Sequence, residues 1–250
     1  MKKVLLYTLY CLRSLLAPFL REVVVLAYHS VSHDTADTVV TPEVFKRQLG
    51  LLKRAGYTFV TLDNVVRWQR GEDSIPKRAV AVTFDDGYAD FETNALPLLV
   101  SFAAPVTLFI VQERETYRRT LSTSPTMLDT DAVERITRHS LVEIGYHTKT
   151  HPDVRTLSYE GLLQECRPPS PMRFFAYPGG GYSDDACRAL KEIGYEAAFS
   201  IKPELISSQH NRFILPRVVV TRGMSDLEFR ARASAAGSWF RAVKRTLLHG

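Results

Sequence analysis

The chain has 250 residues, 45% of them hydrophobic and 24% charged, which is enough to bury a full core as one domain or two and too apolar for disorder. Cys11, Cys166 and Cys187 follow neither a Cys-x-x-Cys spacing nor a framework pattern, which speaks against a thiolate zinc site and a disulfide scaffold. The formal net charge is +5, but the basic residues are scattered and no nucleic-acid motif accompanies them, so no nucleic-acid partner is expected.

Residues 1–20 place Lys2 and Lys3 before a mostly apolar run from Val4 to Leu12, followed by Arg13 and Pro18. The run is too interrupted for a spanning helix and lacks the small-residue cleavage site of a secretory leader. Leu5, Leu9, Leu12, Leu16 and Leu20 recur at spacings of three and four. This predicts a short helix on a membrane surface or docked on the domain, with an uncleaved anchor as the alternative.

Next comes a predicted buried strand, Val23 to Ala27, ending at Tyr28-His29-Ser30, where side chains leave the sheet. After a polar loop, Thr41-Pro42-Glu43 reads as a helix start, with Phe45, Leu49 and Leu52 facing inward and Gly56 as the stop. Further strands are predicted at 58–62, 79–84, 106–111, 141–146, 173–176, 197–201 and 213–221, the last interrupted by Pro216. Helices are predicted between them at 63–69, 93–102, 129–138, 157–166 and 184–193, while 113–126 reads as polar and irregular. Strands that are continuously apolar and alternate with helices predict parallel βα units, closed into a barrel or stacked in a doubly wound sheet. The tail 226–250 reads as a basic helix carrying Trp239, Phe240, Val243 and Leu247, for which core packing is preferred over membrane contact.

Two stretches carry the chemistry. Thr83-Phe84-Asp85-Asp86-Gly87 ends one apolar run in two adjacent carboxylates, and His147-Thr148-Lys149-Thr150-His151 ends another in a histidine pair. Histidines at i and i+4 can share a metal ion, but the glutamate of the helical protease signature is replaced by Thr148, and Pro152 biases His151 away from helical geometry. The base must therefore come from elsewhere, and Asp85 and Asp86 are the best candidates. Two histidines and one aspartate leave an open position for water, as catalytic zinc sites do. One carboxylate then binds the metal while the other accepts a proton, so the implied reaction is hydrolysis.

At these residues the sequence resembles the polysaccharide deacetylases of carbohydrate esterase family four, over about Tyr28 to Thr221 and including Phe175-Ala176-Tyr177-Pro178-Gly179. The resemblance implies an α/β fold, a distorted (β/α) barrel of about seven strands occupying residues 21–225. It assigns the catalytic base to Asp85, and the ligands of one divalent metal, usually zinc, to Asp86, His147 and His151. It implies removal of N- or O-acetyl groups from an exopolysaccharide, a cell-envelope glycan or a lipid-linked sugar, and hence an envelope or membrane-associated setting.

Three departures accompany the resemblance. Where many members have an arginine that steadies the catalytic aspartate, this chain has Ala176, and Tyr177-Pro178-Gly179 looks more like the branch acting on poly-N-acetylglucosamine. Leu215-Pro216-Arg217 stands where a leucine-x-histidine motif would supply the general acid. Arginine stays protonated, so Arg217 is expected to stabilise negative charge, and Tyr177, Pro178, Gly179 and Arg217 are the expected substrate contacts. His29 is preferred over His210 as the proton donor. The family's tryptophan motif before the last strand has no counterpart. Two other functions compete: a degenerate, non-catalytic saccharide-binding module, motivated by Ala176 and Arg217, and an iron oxygenase using two histidines and a carboxylate.

Overall fold

A computed structural model of the chain describes residues 22–123 and 125–234. The expected N-terminal helix, and Trp239, Phe240, Val243 and Leu247 of the tail, lie outside the described residues. Among the described residues no helix is long and apolar enough to cross a membrane.

The strands β1 (Glu22–Tyr28), β4 (Thr58–Phe59), β5 (Arg78–Phe84), β6 (Val106–Ile110), β7 (Val142–Tyr146), β8 (Phe174–Ala176), β9 (Ala197–Phe199) and β10 (Val218–Val219) form one eight-stranded parallel sheet. Its order is β10-β1-β5-β6-β7-β8-β9, with β4 beside the first half of β5. A small pair, β2 (Ser30–Val31) and β3 (Val39–Val40), stands apart. Leu215 bridges Phe199 on one edge of the long sheet, while Val218 and Val219 pair with Leu26 and Ala27 on the other. Residues 215–219 thus curl the sheet toward closure, giving the distorted (β/α) barrel.

Alternation along the strands sorts side chains between the barrel interior and the helical layer. Val24, Leu26, Val80, Val82, Val106 and Leu108 share a cluster with Phe45, Leu49 and Leu52 of α1 (Pro42–Arg54). Val23, Val25, Ala79, Ala81, Phe109, Phe174, Ala176, Ala197 and Phe199 pack together on the other face. So many alanines suit a narrow barrel, whose interior has little room for branched side chains.

Local signals account for the helix starts. Thr41 caps α1 by accepting from Val44 N, with Pro42 in the first turn, and Thr61 and Asn64 form a capping box on α2 (Leu62–Gln69). Pro97 sits where a π-helical turn, Phe91–Ala95, runs directly into α3 (Leu96–Ser101). The helices α5 (Thr130–Thr137), α6 (Tyr159–Cys166) and α7 (Asp184–Ile193) follow the predicted positions closely. Gly194 ends α7 with a φ of 103°.

Several regions differ from expectation; the stretch 31–40, read as a loop, places the paired strands β2 and β3 at its two ends. The final strand is shorter than predicted: a 3-10 turn, Arg212–Ile214, precedes it, and Pro216 cannot donate to a ladder. Within 113–126 a five-residue helix, α4 (Arg114–Arg118), forms where irregular chain was expected. At five residues it is too short to leave a periodic signature, and it is tied in by Arg114, whose Nε donates to Leu128 O and whose Nη1 donates to the nearby Val111 O. The last described helix, α8 (Asp226–Ala233), buries Phe229 and Ala233 in the α1 cluster, and Tyr57 Oη donates to Ala233 O.

Candidate active site

Functional side chains collect at the carboxyl ends of the strands, where βα loops of a barrel converge. Ala79, Ala81 and Thr83 lead along one face of β5 to Asp85, whose N–H donates to Tyr28 O and so extends the pairing with β1 by one residue. His147 continues β7 in the same way, donating from its N–H to Ile110 O. Asp85, Asp86 and His147 are all buried.

Asp86 turns away from the strand with a φ of 73°, and Gly87 follows at 89°. Thr148 and His151 also have positive φ, 69° and 66°. Such backbone is costly for residues with a Cβ and tends to collect at functional sites. Here it brings three donors together: His147 Nε2 and His151 Nε2 each lie 3.5 Å from Asp86 Oδ1. The ligand atoms of Asp86, His147 and His151 all lie within 4.8 Å of one another. Asp86 Oδ1 is buried with no hydrogen-bond partner. A buried carboxylate oxygen left bare costs free energy, and a cation bound by it and the two imidazoles removes that cost, so the set fits a divalent metal.

The surroundings orient each donor. His147 Nδ1 lies 2.7 Å from Ala176 O. A carbonyl only accepts, so Nδ1 carries the proton, and Nε2 is the nitrogen that faces Asp86. Ala176 therefore serves through its backbone. Burial and the neighbouring His147 push His151 down to about 4, keeping it in the neutral, ligating form at pH 7. Tyr117 Oη, 3.3 Å from Asp86 Oδ2, donates to it, and the Tyr117 ring lies 4.2 Å from that of His151. Burial and the neighbouring Asp86 carboxylate push the Tyr88 hydroxyl up.

Asp85 is held separately. Arg217 donates from Nη1 to Oδ1 at 2.6 Å and from Nη2 to Oδ2 at 2.8 Å, and Nη1 also reaches Thr83 Oγ1 at 3.2 Å. The guanidinium carbon lies 5.3 Å from the centre of the Phe109 ring. Burial alone pushes the Asp85 carboxyl up, but the charges of Arg217 and His147 and the Arg217 hydrogen bonds more than offset this, and it falls to about 2. It is ionised throughout the working range.

The expected substrate contacts therefore change. Arg217 is fully buried and engaged with Asp85, which leaves it no face for substrate. Tyr177 is also fully buried, its hydroxyl donating to Phe213 O, because alternation along β8 points it into the helical layer with Phe175. Pro178 is buried and only Gly179, at a φ of 58°, is exposed at the turn. His29 lies half-buried at the end of β1, close enough to Asp85 and His151 to affect both electrostatically, and its Nδ1 is buried without a partner. His210 Nδ1 instead takes the Ser207 N–H within its own loop. Tyr88 and Tyr117 had no signal in the sequence: neither falls in a spaced motif, and only the fold carries Tyr117 to the acids.

A family model described as polysaccharide deacetylase matches residues 72–198. The poly-beta-1,6-N-acetyl-D-glucosamine N-deacetylase of Staphylococcus epidermidis is 22% identical over 209 residues, covering 77% of this chain and 71% of that protein. Among solved structures, the Streptococcus pyogenes deacetylase PplD in complex with acetate matches with a TM-score of 0.74 at 21% identity, over 85% of this chain and 98% of that one. IcaB from Ammonifex degensii matches with a TM-score of 0.68 at 22% identity, over 85% and 97%. At these identities the two structures speak for the fold, whereas the family model spans more than half of the chain and includes both the aspartate pair and the histidine pair. This chain belongs to the polysaccharide deacetylase family.

Proposed function

We propose that this enzyme hydrolyses N-acetyl groups on a poly-N-acetylhexosamine, an exopolysaccharide or cell-envelope glycan, with one divalent metal held by Asp86, His147 and His151. The observation that carries the reading is the division of labour between adjacent aspartates. Asp86 faces two imidazoles with a bare oxygen, while Asp85 is turned to Arg217 and has no histidine ligand set. The relative named for poly-beta-1,6-N-acetyl-D-glucosamine supports the choice of glycan.

When bound, the metal, zinc by the chemistry of this donor set, supplies Lewis acidity to the acetyl carbonyl and to a water. Asp85, ionised and fixed by two hydrogen bonds from Arg217, takes the proton from that water as it attacks the acetyl carbon. Arg217 keeps the carboxylate aimed and ionised without touching substrate. His29 donates a proton to the departing sugar amine, so that acetate and the free amine leave. The exposed Gly179 N–H is assigned to the carbonyl oxygen as negative charge develops there.

The competing binding-module reading loses its motive, since Arg217 supplies from β10's approach the support for Asp85 that Ala176 lacks. The oxygenase reading needs a host fold unlike this parallel sheet. The test is acetate release from N-acetylglucosamine oligomers, peptidoglycan and O-acetylated glycans, with Asp85→Asn as the blank. Release from the N-acetylated oligomers that the blank lacks is expected, with about one metal per wild-type chain, as three protein ligands imply. No release from any of them would overturn the proposal.

A further inference from the structure

The segment that leaves β6 and returns to α5 crosses the aspartate loop instead of running free. Gln112 and Glu113 donate backbone N–H groups to Thr148 O and Lys149 O, tying its start to the histidine loop. Its far end is tied to the aspartate loop: Ala89 N donates to Thr126 O, Leu128 N to Gly87 O, and Tyr88 bridges Met127. Between these ties Tyr88, Val111, Tyr117 and Met127 form their own apolar cluster, with Leu121 packed against it. Tyr117, in α4, is the residue of this strap that reaches the metal ligands.

Its two contacts are different in kind. The hydroxyl donates to Asp86 Oδ2, while Oδ1, the oxygen facing both histidines, stays bare. The ring lies 4.2 Å from that of His151 at an angle of 33°. His147 has a carbonyl to fix its ring; His151 sits on a left-handed backbone and is positioned by ring packing. We propose that Tyr117 is a positioning residue for the metal centre, engaging Asp86 Oδ2 so that Oδ1 alone ligates and holding the His151 ring in ligating orientation. This rests on Asp86, His147 and His151 being the metal ligands.

Partners that orient metal ligands typically contribute 10- to 100-fold in metal affinity. The test uses the full chain, stripped of metal and titrated with zinc against a competing chelator, and with cobalt(II) followed by its visible absorption. Tyr117→Phe keeps the ring and removes the donor, and is expected to weaken zinc binding by roughly 10-fold or more and to alter the cobalt spectrum. Tyr117→Leu, which removes both contacts, is expected to bind more weakly still. Leu121→Ala loosens the same cluster without touching a ligand, and is expected to bind zinc like the wild type. Wild-type affinity and spectrum in Tyr117→Phe, or an equal loss in Leu121→Ala, would overturn the inference while the ligand assignment stood. Absence of zinc binding by the wild type itself would overturn both, and retained binding in Asp86→Ala would remove the ligand assignment first.

Discussion

Arg217 and Asp85, 132 residues apart in sequence, meet as a buried two-point ion pair, with oxygen-to-nitrogen distances of 2.6 and 2.8 Å. The planar fork of arginine matches both carboxylate oxygens at once, which lysine cannot do. The pair ties the residue before β10 to the end of β5 and holds the Asp85 carboxyl ionised.

Breaking this pair on one side leaves the other charge buried alone, at a cost of about 3–5 kcal/mol. Arg217→Met and Asp85→Asn are each expected to lose stability on this scale in urea unfolding at pH 7. The double variant is expected to recover part of the loss, since no charge is then left buried without a counter-charge, although the Asn amide still lacks its hydrogen bonds. Additive losses in the double variant would contradict the pairing.

The pH dependence follows from the same contact. The Asp85 carboxyl is held near 2 in the folded chain against an ordinary 3.8, so the unfolded state binds more protons between those values. The contribution to stability is fully present above about pH 4 and is lost as the pH falls toward 2, on the order of 2 kcal/mol. Unfolding free energies measured from pH 2 to 5 should show this slope in the wild type and lose it in the Asp85→Asn and Arg217→Met double variant.

His29 is assigned the proton-donating step, motivated by its place at the end of β1 beside Asp85 and by its buried, unpartnered Nδ1. His29→Gln is expected to lower kcat by about 10²–10⁴ with metal content unchanged. Metal loss in this variant would instead make His29 part of the ligand field.

Gly145, two residues before His147, faces Phe109 so closely that a Cβ there would come within 2.5 Å of the ring and 3.1 Å of Phe174 O. Phe109 in turn packs on the Arg217 guanidinium. Gly145→Ala should therefore overpack the barrel interior at a cost of about 1–3 kcal/mol and reduce activity by displacing Arg217. A thermal midpoint and a kcat both equal to wild type would show that Phe109 yields freely.

The amino-acid order alone specifies the parallel α/β class, most element positions, and the two motifs at strand ends. Those properties are local: continuous apolar runs, caps such as Thr41, and the spacing of Asp85-Asp86 and His147–His151 are written within a few residues of one another. It also singled out Arg217, but placed it on substrate, because a linear reading sees a charge at a strand end and not the direction it faces. The tertiary structure decided that Pro216 and the Leu215–Val219 closure aim Arg217 inward at Asp85, which makes up for Ala176. It likewise turned Tyr177 into the helical layer and carried Tyr117, from a stretch without periodicity, onto Asp86 and His151. These relations depend on side-chain direction and on contacts between elements far apart in the chain, which spacing alone does not encode.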